Sequence, residues 1–139
     1  MNGYLVDTNI VSELRKESRA QTSVVQWAKR VPEEHLFTSV LVLGEIRRGI
    51  EQLRSTDQLQ ALALERWLHR TENAFSERVL PVTSKITDAW GQISSLRPLP
   101  VVDSLLAATA IVHDLVLVTR NTSDIHDVGA ALLNPFLPE

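Results

Sequence analysis

The sequence contains no cysteine, which excludes a disulfide framework, a thiolate nucleophile and any cysteine-ligated zinc site. No apolar run approaches the roughly 20 residues needed to span a bilayer. The opening MNGYLVDT has neither a basic n-region nor a long apolar core, so no secretory signal is expected there. Positive charge is not in excess either: 14 Lys and Arg stand against 17 Asp and Glu, a net charge of −3. A protein that grips nucleic acid mainly through a broad positive field is therefore disfavoured. An enzyme acting on nucleic acid through bound divalent cations is not, because such ions invert the local sign of charge. The histidines at 35, 69, 113 and 126 lack metal-ligand spacing such as HExxH, and no GxSxG, P-loop or GxGxxG motif occurs. Repeats, low-complexity segments and linkers are missing as well. The expectation is a soluble cytoplasmic protein that does not contact a membrane.

With 139 residues and 44% apolar content, there is material for one domain over residues 1–139 with one core. YLVDTN (4–9) begins as an apolar strand and turns polar at Asp7, Thr8 and Asn9, with Thr8 or Asn9 available to cap a helix over Ile10–Lys16. A helix through Val24–Ala28 ends near Pro32, and LFTS (36–39) suits a short strand. Leu43, Ile46, Ile50 and Leu53 recur at helical spacing over 40–54. Ser55, Thr56 and Asp57 then offer a turn and a new cap, and a second long helix through Leu59, Leu62 and Trp67 to Phe75 completes a helical hairpin.

RVLPVT (78–83) reads as a strand, placed at an edge by Pro81. A helix capped by Thr83 or Ser84 follows, then the loop RPLPVVD, and an apolar helix over Ser104–His113. LVLVT (115–119) is the clearest strand, RNTSD the loop after it, and ALLNPF a last short strand. Strands alternating with helices imply an α/β domain with a mainly parallel sheet and right-handed crossovers.

Four acids stand where that architecture can bring them together. Asp7 ends the first strand. Glu45 lies on its helix outside the apolar arc of about 80°, on the row of Leu41 and Gly49. Asp103 opens the apolar helix, where the free N–H groups and the dipole stabilise a carboxylate, and an N-cap alone would explain it. Asp124 follows the best strand. If the first and fourth strands are neighbours at a switch point, their C-terminal loops share one crevice. Asp127 needs no role beyond loop or cap residue, and Arg47 and Arg48 are surface charges or phosphate partners. An oxygen-only donor set of this kind suits magnesium or manganese better than zinc.

Taken together, LVDTNIVSEL (5–14), TSVLVLGEIRRGI (38–50), VVDSLLAATAIVHDLVLVTRNTSDI (101–125) and NPF (134–136) resemble, in order, the blocks of a PIN-domain ribonuclease. The resemblance is closest to VapC-type toxins of the FitB group. It implies a parallel five-stranded sheet flanked by helices on both faces. It implies that Asp7, Glu45, Asp103 and Asp124 are the catalytic, metal-binding acids, and that Thr8, Asn9, Thr119 and Asn121 support them. It implies Mg²⁺- or Mn²⁺-dependent hydrolysis of RNA phosphodiester bonds. It further implies a homodimer and a cognate VapB-type antitoxin that inhibits the enzyme and alone makes any DNA contact. Apolar antitoxin residues would fill a groove beside the helical hairpin.

Two other readings stay open at this point. A phosphatase of the haloacid dehalogenase type also begins with a strand ending in aspartate, but it needs an acid where Asn9 stands and a partner lysine not found here. A PIN-fold module that binds RNA or protein without turnover is the other.

Overall fold

The computed structural model describes residues 3–137. Five strands, β1 (Tyr4–Val6), β2 (Leu36–Ser39), β3 (Val79–Leu80), β4 (Val116–Val118) and β5 (Leu132–Leu133), form one sheet in the order β3-β2-β1-β4-β5. Every neighbouring pair is parallel. The chain therefore walks outward from β1 through β2 to β3, then returns to lay β4 on the other side of β1. That reversal makes the junction of β1 and β4 the switch point, where strand ends open onto a crevice.

Among the described residues seven α-helices surround the sheet: α1 (Thr8–Arg15), α2 (Thr22–Arg30), α3 (Val40–Arg54), α4 (Gln58–Phe75), α5 (Ser84–Ser94), α6 (Val101–His113) and the single turn α7 (Thr122–Ile125). The first four pack on one another, whereas α5 packs against α6 and α6 lies on β1 and β4. Right-handed crossovers in opposite walking directions put these two groups on opposite faces of the sheet. The central strands are correspondingly apolar on both sides: Leu5, Val6, Leu117 and Val118 are all buried.

Local chemistry accounts for the boundaries. Pro81 ends β3, which is shorter than the stretch 78–83 and sits at the sheet edge. The side chain of Thr83 caps α5 by accepting from Ile86 N at 3.3 Å, and Asp57 caps α4 by accepting from Gln60 N at 3.1 Å. Three expectations need correction. The loop expected over 97–103 is shorter, because Pro100 serves as the N-cap residue and α6 starts at Val101; a proline fits there, where no amide N–H is needed. RNTSD is not all loop, since Thr122–Ile125 make a helical turn that buries Ile125. In the hairpin the buried positions are Val42, Ile46 and Ile50 on α3 and Ala61 and Leu68 on α4, while Leu59 is 81% exposed. The QLQALAL segment carries apolar residues on two faces, and the small side chain of Ala61 lets α3 approach on one of them.

A tie absent from those expectations joins α1 to α2. Glu13 is buried, and its carboxylate accepts from Gln21 N at 2.8 Å and from Lys16 Nζ at 3.0 Å. The Gln21 amide first, then Lys16, hold its pKa below the usual carboxylate range. A lowered folded-state pKa contributes stability that is present above the unfolded value of 4.5 and lost as pH falls through the folded one. Glu13→Gln should thus lose about 1 kcal/mol at pH 7. Denaturant melts should show that difference vanishing in strong acid, where wild type carries the same neutral group; a difference that persists there would refute the assignment.

Candidate active site

β1 runs into α1 without a loop, so Asp7 sits at the C-terminal end of the central strand beside β4. Its amide still donates to Val118 O at 3.1 Å, which keeps it in the sheet register. Its side chain turns back onto α1, and Oδ1 accepts from Ile10 N at 3.2 Å. Asp7, not Thr8 or Asn9, is therefore the N-cap. The reason is backbone shape: Asp7 keeps the extended φ −88°, ψ −178° of the strand, as a cap requires, while both followers lie inside the first turn.

The second oxygen of Asp7 accepts from Thr119 Oγ1 at 2.5 Å, and the same hydroxyl accepts from Asn121 N at 3.0 Å. Asp7 is only 4% exposed. Burial pushes its carboxyl up to about 6, against the opposing hydrogen bonds of Thr119 and Ile10 N, and the charge of Asp103 adds to the rise.

Glu45 arrives from the other direction. Ser39 ends β2 and caps α3, accepting from Leu41 N at 3.0 Å, so Glu45 stands in the second turn of a helix rooted in the sheet. Its Oε1 accepts from Thr8 Oγ1 at 2.5 Å. Asp103 lies in the first turn of α6, two residues past its first position, so it is not the cap that a start at Ser104 would have made it. It is half-buried. Burial raises its pKa, the Asn121 side chain opposes the rise by hydrogen bonding, and the charges of Glu45 and Asp124 add to it.

Asp7, Glu45 and Asp103 line a single cleft of about 240 Å³, together with Thr8, Asn9 and Asn121. Arg48 and Leu106, which the sequence did not single out for this wall, complete it. Asp124 is outside that lining: it is exposed on α7, although its charge is felt at Asp103. The segment carrying it is pinned by Arg97, which donates to Asp124 O at 2.8 Å and pairs with Asp127 at 2.7 Å. Asp127 is thus a fastener of this loop, a role its sequence position alone does not reveal.

Among the described residues, no three acids or histidines converge closely enough to hold an ion as they stand. The donor chemistry nonetheless fits a hard divalent cation: the lining carboxylates, hydroxyl and amides supply oxygen, with no sulfur or imidazole among them. Two of the carboxylates are held against their ionisation by burial, which a nearby positive charge would relieve.

The elevated pKa of Asp7 has a consequence for stability. Between about pH 4 and pH 6 the unfolded chain has released a proton that the folded one retains. Stability of the ion-free protein is therefore full at the acid end of that window and declines as pH rises through it, by about 3 kcal/mol for two units of pKa. Asp7→Asn keeps a good cap residue and removes the titrating group. Thermal melts in EDTA should show the variant more stable than wild type at pH 8, with the gap gone at pH 4. Parallel profiles would exclude Asp7 as the source.

The PIN domain family model matches residues 4–130. Toxin FitB of Neisseria gonorrhoeae is 29% identical over 138 residues, covering 95% of this chain and 97% of that protein. VapC ribonuclease Y4jK of Sinorhizobium fredii is 26% identical over 139 residues, with 96% and 98% covered. Among solved structures, FitAcB from Neisseria gonorrhoeae superposes with a TM-score of 0.86 at 27% identity, over 96% of this chain and 98% of that one. The structure of FitAB bound to an IR36 DNA fragment gives 0.85 at 25% identity, over 98% and 97%. The parallel five-stranded sheet expected from the sequence is the observed one, these relatives include proteins named as a toxin and a VapC ribonuclease, and the chain belongs to the PIN domain family.

Proposed function

We propose that this chain is a metal-dependent endoribonuclease, the toxin of a VapBC-type pair, hydrolysing RNA phosphodiester bonds at the cleft of Asp7, Glu45 and Asp103. The observation that carries this reading is the meeting of three carboxylates from β1, α3 and α6 in one oxygen-lined cleft, in a chain similar along its length to a protein named VapC ribonuclease. Asp7, Glu45 and Asp103 would hold Mg²⁺ or Mn²⁺, with Asp124 reaching the group from α7 as an outer acid. Bound there, the ion supplies Lewis acidity for attack of water on phosphorus and for departure of the displaced oxygen.

The remaining work falls to the chain itself. Thr119 fixes the Asp7 carboxylate, Thr8 fixes Glu45, and Asn121 fixes Asp103, so each acid presents a set orientation. Leu106 closes the cleft on the apolar side. No histidine lines the cleft, so proton transfer there proceeds through water and carboxylate.

The reading includes partners. A VapB-type antitoxin would neutralise the acids with an arginine and lay apolar side chains into the cavity of about 290 Å³ between α1, α2 and α4, lined by Val11, Leu14, Trp27, Trp67 and Phe75. DNA would be reached through that antitoxin, and the toxin would act as a homodimer in the cytoplasm. For its part, the structure has no helix, among the described residues, long and apolar enough to cross a membrane.

Purified protein incubated with structured RNA and Mn²⁺ should cleave it, and EDTA should stop the reaction. Asp7→Asn, Glu45→Gln and Asp103→Asn should each abolish turnover. Thr119→Val should lower the rate about 10- to 100-fold, as loss of a group that orients a ligand does, and Asp124→Asn should cost less than any of the three lining acids. Intact RNA beside a correctly folded, Mn²⁺-supplied protein would instead favour the binding module. Equal cleavage by wild type and Asp7→Asn would trace the activity to a contaminant.

A further inference from the structure

Arg47 and Arg48 are neighbours in sequence, but a helix turns about 100° per residue and separates them. Arg47 is engaged on the hairpin surface, with Nη1 at 3.1 Å from Glu51 and 3.2 Å from Glu65. Arg54 joins the same two acids at 2.8 and 3.0 Å. Arg48 has no such engagement: it is exposed and makes no hydrogen bond or ion pair among the described residues. It nevertheless lies on the wall of the acid cleft, one turn beyond Glu45. The cleft acids already have other partners, Thr119 and Ile10 N on Asp7, Thr8 on Glu45 and Asn121 on Asp103. A guanidinium has thus been set beside carboxylates without being spent on them.

Arg48 and Glu45 also line a second, shallower hollow of about 280 Å³, whose other walls are Val40, Leu41, Gly44 and Val102. The two concavities share these residues, so they form one track across α3: an acidic end, a cationic ridge and an apolar floor. At Gly44 a Cβ would meet nothing within 4 Å, so the floor is open above the helix backbone. A nucleotide strand has matching parts in the same order, a reacting phosphodiester, a flanking phosphate and the flat face of a base.

We propose that Arg48 is a substrate-binding residue, holding the phosphate next to the scissile one while the adjoining base lies in the hollow over Gly44. This rests on the ribonuclease reading above and names the part of that site which selects where the strand enters. Arginine suits the task because its planar fork takes two phosphate oxygens at once and stays charged at any working pH. It also offers attraction to a polyanion at the rim of a cleft whose floor repels one.

The test uses a short, fluorescein-labelled single-stranded RNA of mixed sequence. Binding is followed by anisotropy with Ca²⁺ in place of Mn²⁺ over a series of KCl concentrations, and cleavage is followed separately with Mn²⁺. Arg48→Ala should weaken binding about tenfold, as loss of a charge-assisted hydrogen bond does, and lower the salt slope by about 0.7, the share of one phosphate on a single strand. Its KM should rise with kcat little changed, and Arg48→Lys should restore the salt slope but not the full affinity. Arg47→Ala should leave affinity and slope as in wild type. Wild-type affinity and slope in Arg48→Ala, in a preparation where Asp7→Asn abolishes cleavage, would overturn the role of Arg48 alone. No RNA binding by wild type, or cleavage indifferent to EDTA and to Asp7→Asn, would bring down the ribonuclease reading and this inference with it.

Discussion

A carboxylate buried at the end of the central strand is the constraint around which this molecule is arranged. Asp7 cannot move to solvent, because its own amide belongs to the β1–β4 ladder and its side chain caps α1. Burial raises its pKa to about 6, which at two units represents about 3 kcal/mol held against folding when the group is charged. That figure already includes the relief given by the Thr119 hydroxyl and the first free N–H groups of α1, without which the cost of burial would be larger. What remains is a local deficit of positive charge in a protein fold that is otherwise comfortably apolar at its centre.

Sheet topology explains why that deficit is shared by other acids. Parallel strands present their C-terminal ends on the same side, so α1, α3 and the β4–α7 loop all begin there. Thr8 opens α1, Glu45 rides the start of α3, and Thr119 and Asn121 follow β4. Asp103 comes from a helix on the opposite face of the sheet, whose first turn reaches the same rim because Pro100 starts it early. The arrangement depends on the reversal between β3 and β4: were β4 not paired with β1, Thr119 would not lie beside Asp7. The Arg97 pair with Asp127 secures the last of these segments without entering the cleft.

How much of this was legible in the chain depends on whether a residue's surroundings are local. The strand LFTS, the hairpin turn at Asp57, the edge strand before Pro81 and the apolar strand VLV each carry their own signal, and each stands where the pattern puts it. The acids at 7 and 103 could be brought together from the sequence because each ends or opens an element with a distinct apolar pattern, and Glu45 because it stands off the apolar arc of its helix. Asp124 was placed with them by the same logic, yet it points from a helical turn that the polar string RNTSD does not advertise. Glu13 was illegible, and Arg48 could not be told from Arg47 as surface charge or phosphate partner, for a different reason: the burial of one and the position of the other depend on elements far away in sequence. A glutamate in SELRKE and a second arginine in EIRRG look like any solvated charges.

The division of the charges also bears on how such a site meets a polyanion. Several of the chain's exposed cations are consumed by neighbours, Arg47 and Arg54 by Glu51 and Glu65, and Arg97 by Asp127. These exposed pairs add little stability individually, but they cancel positive field that would otherwise extend over the surface. With a net charge of −3, the chain offers a polyanion no broad attraction, so selectivity for one would fall to the few groups within contact distance. On the proposed reading, the cleft would discriminate by requiring two things at once, positive charge among the buried acids and a strand that fits the rim. Neither alone would suffice, and an arginine supplied by another protein would satisfy the acids while occupying the place of the strand. On the proposed reading, the features that would suit the site to phosphodiester chemistry are the same ones that would open it to a cationic peptide tail.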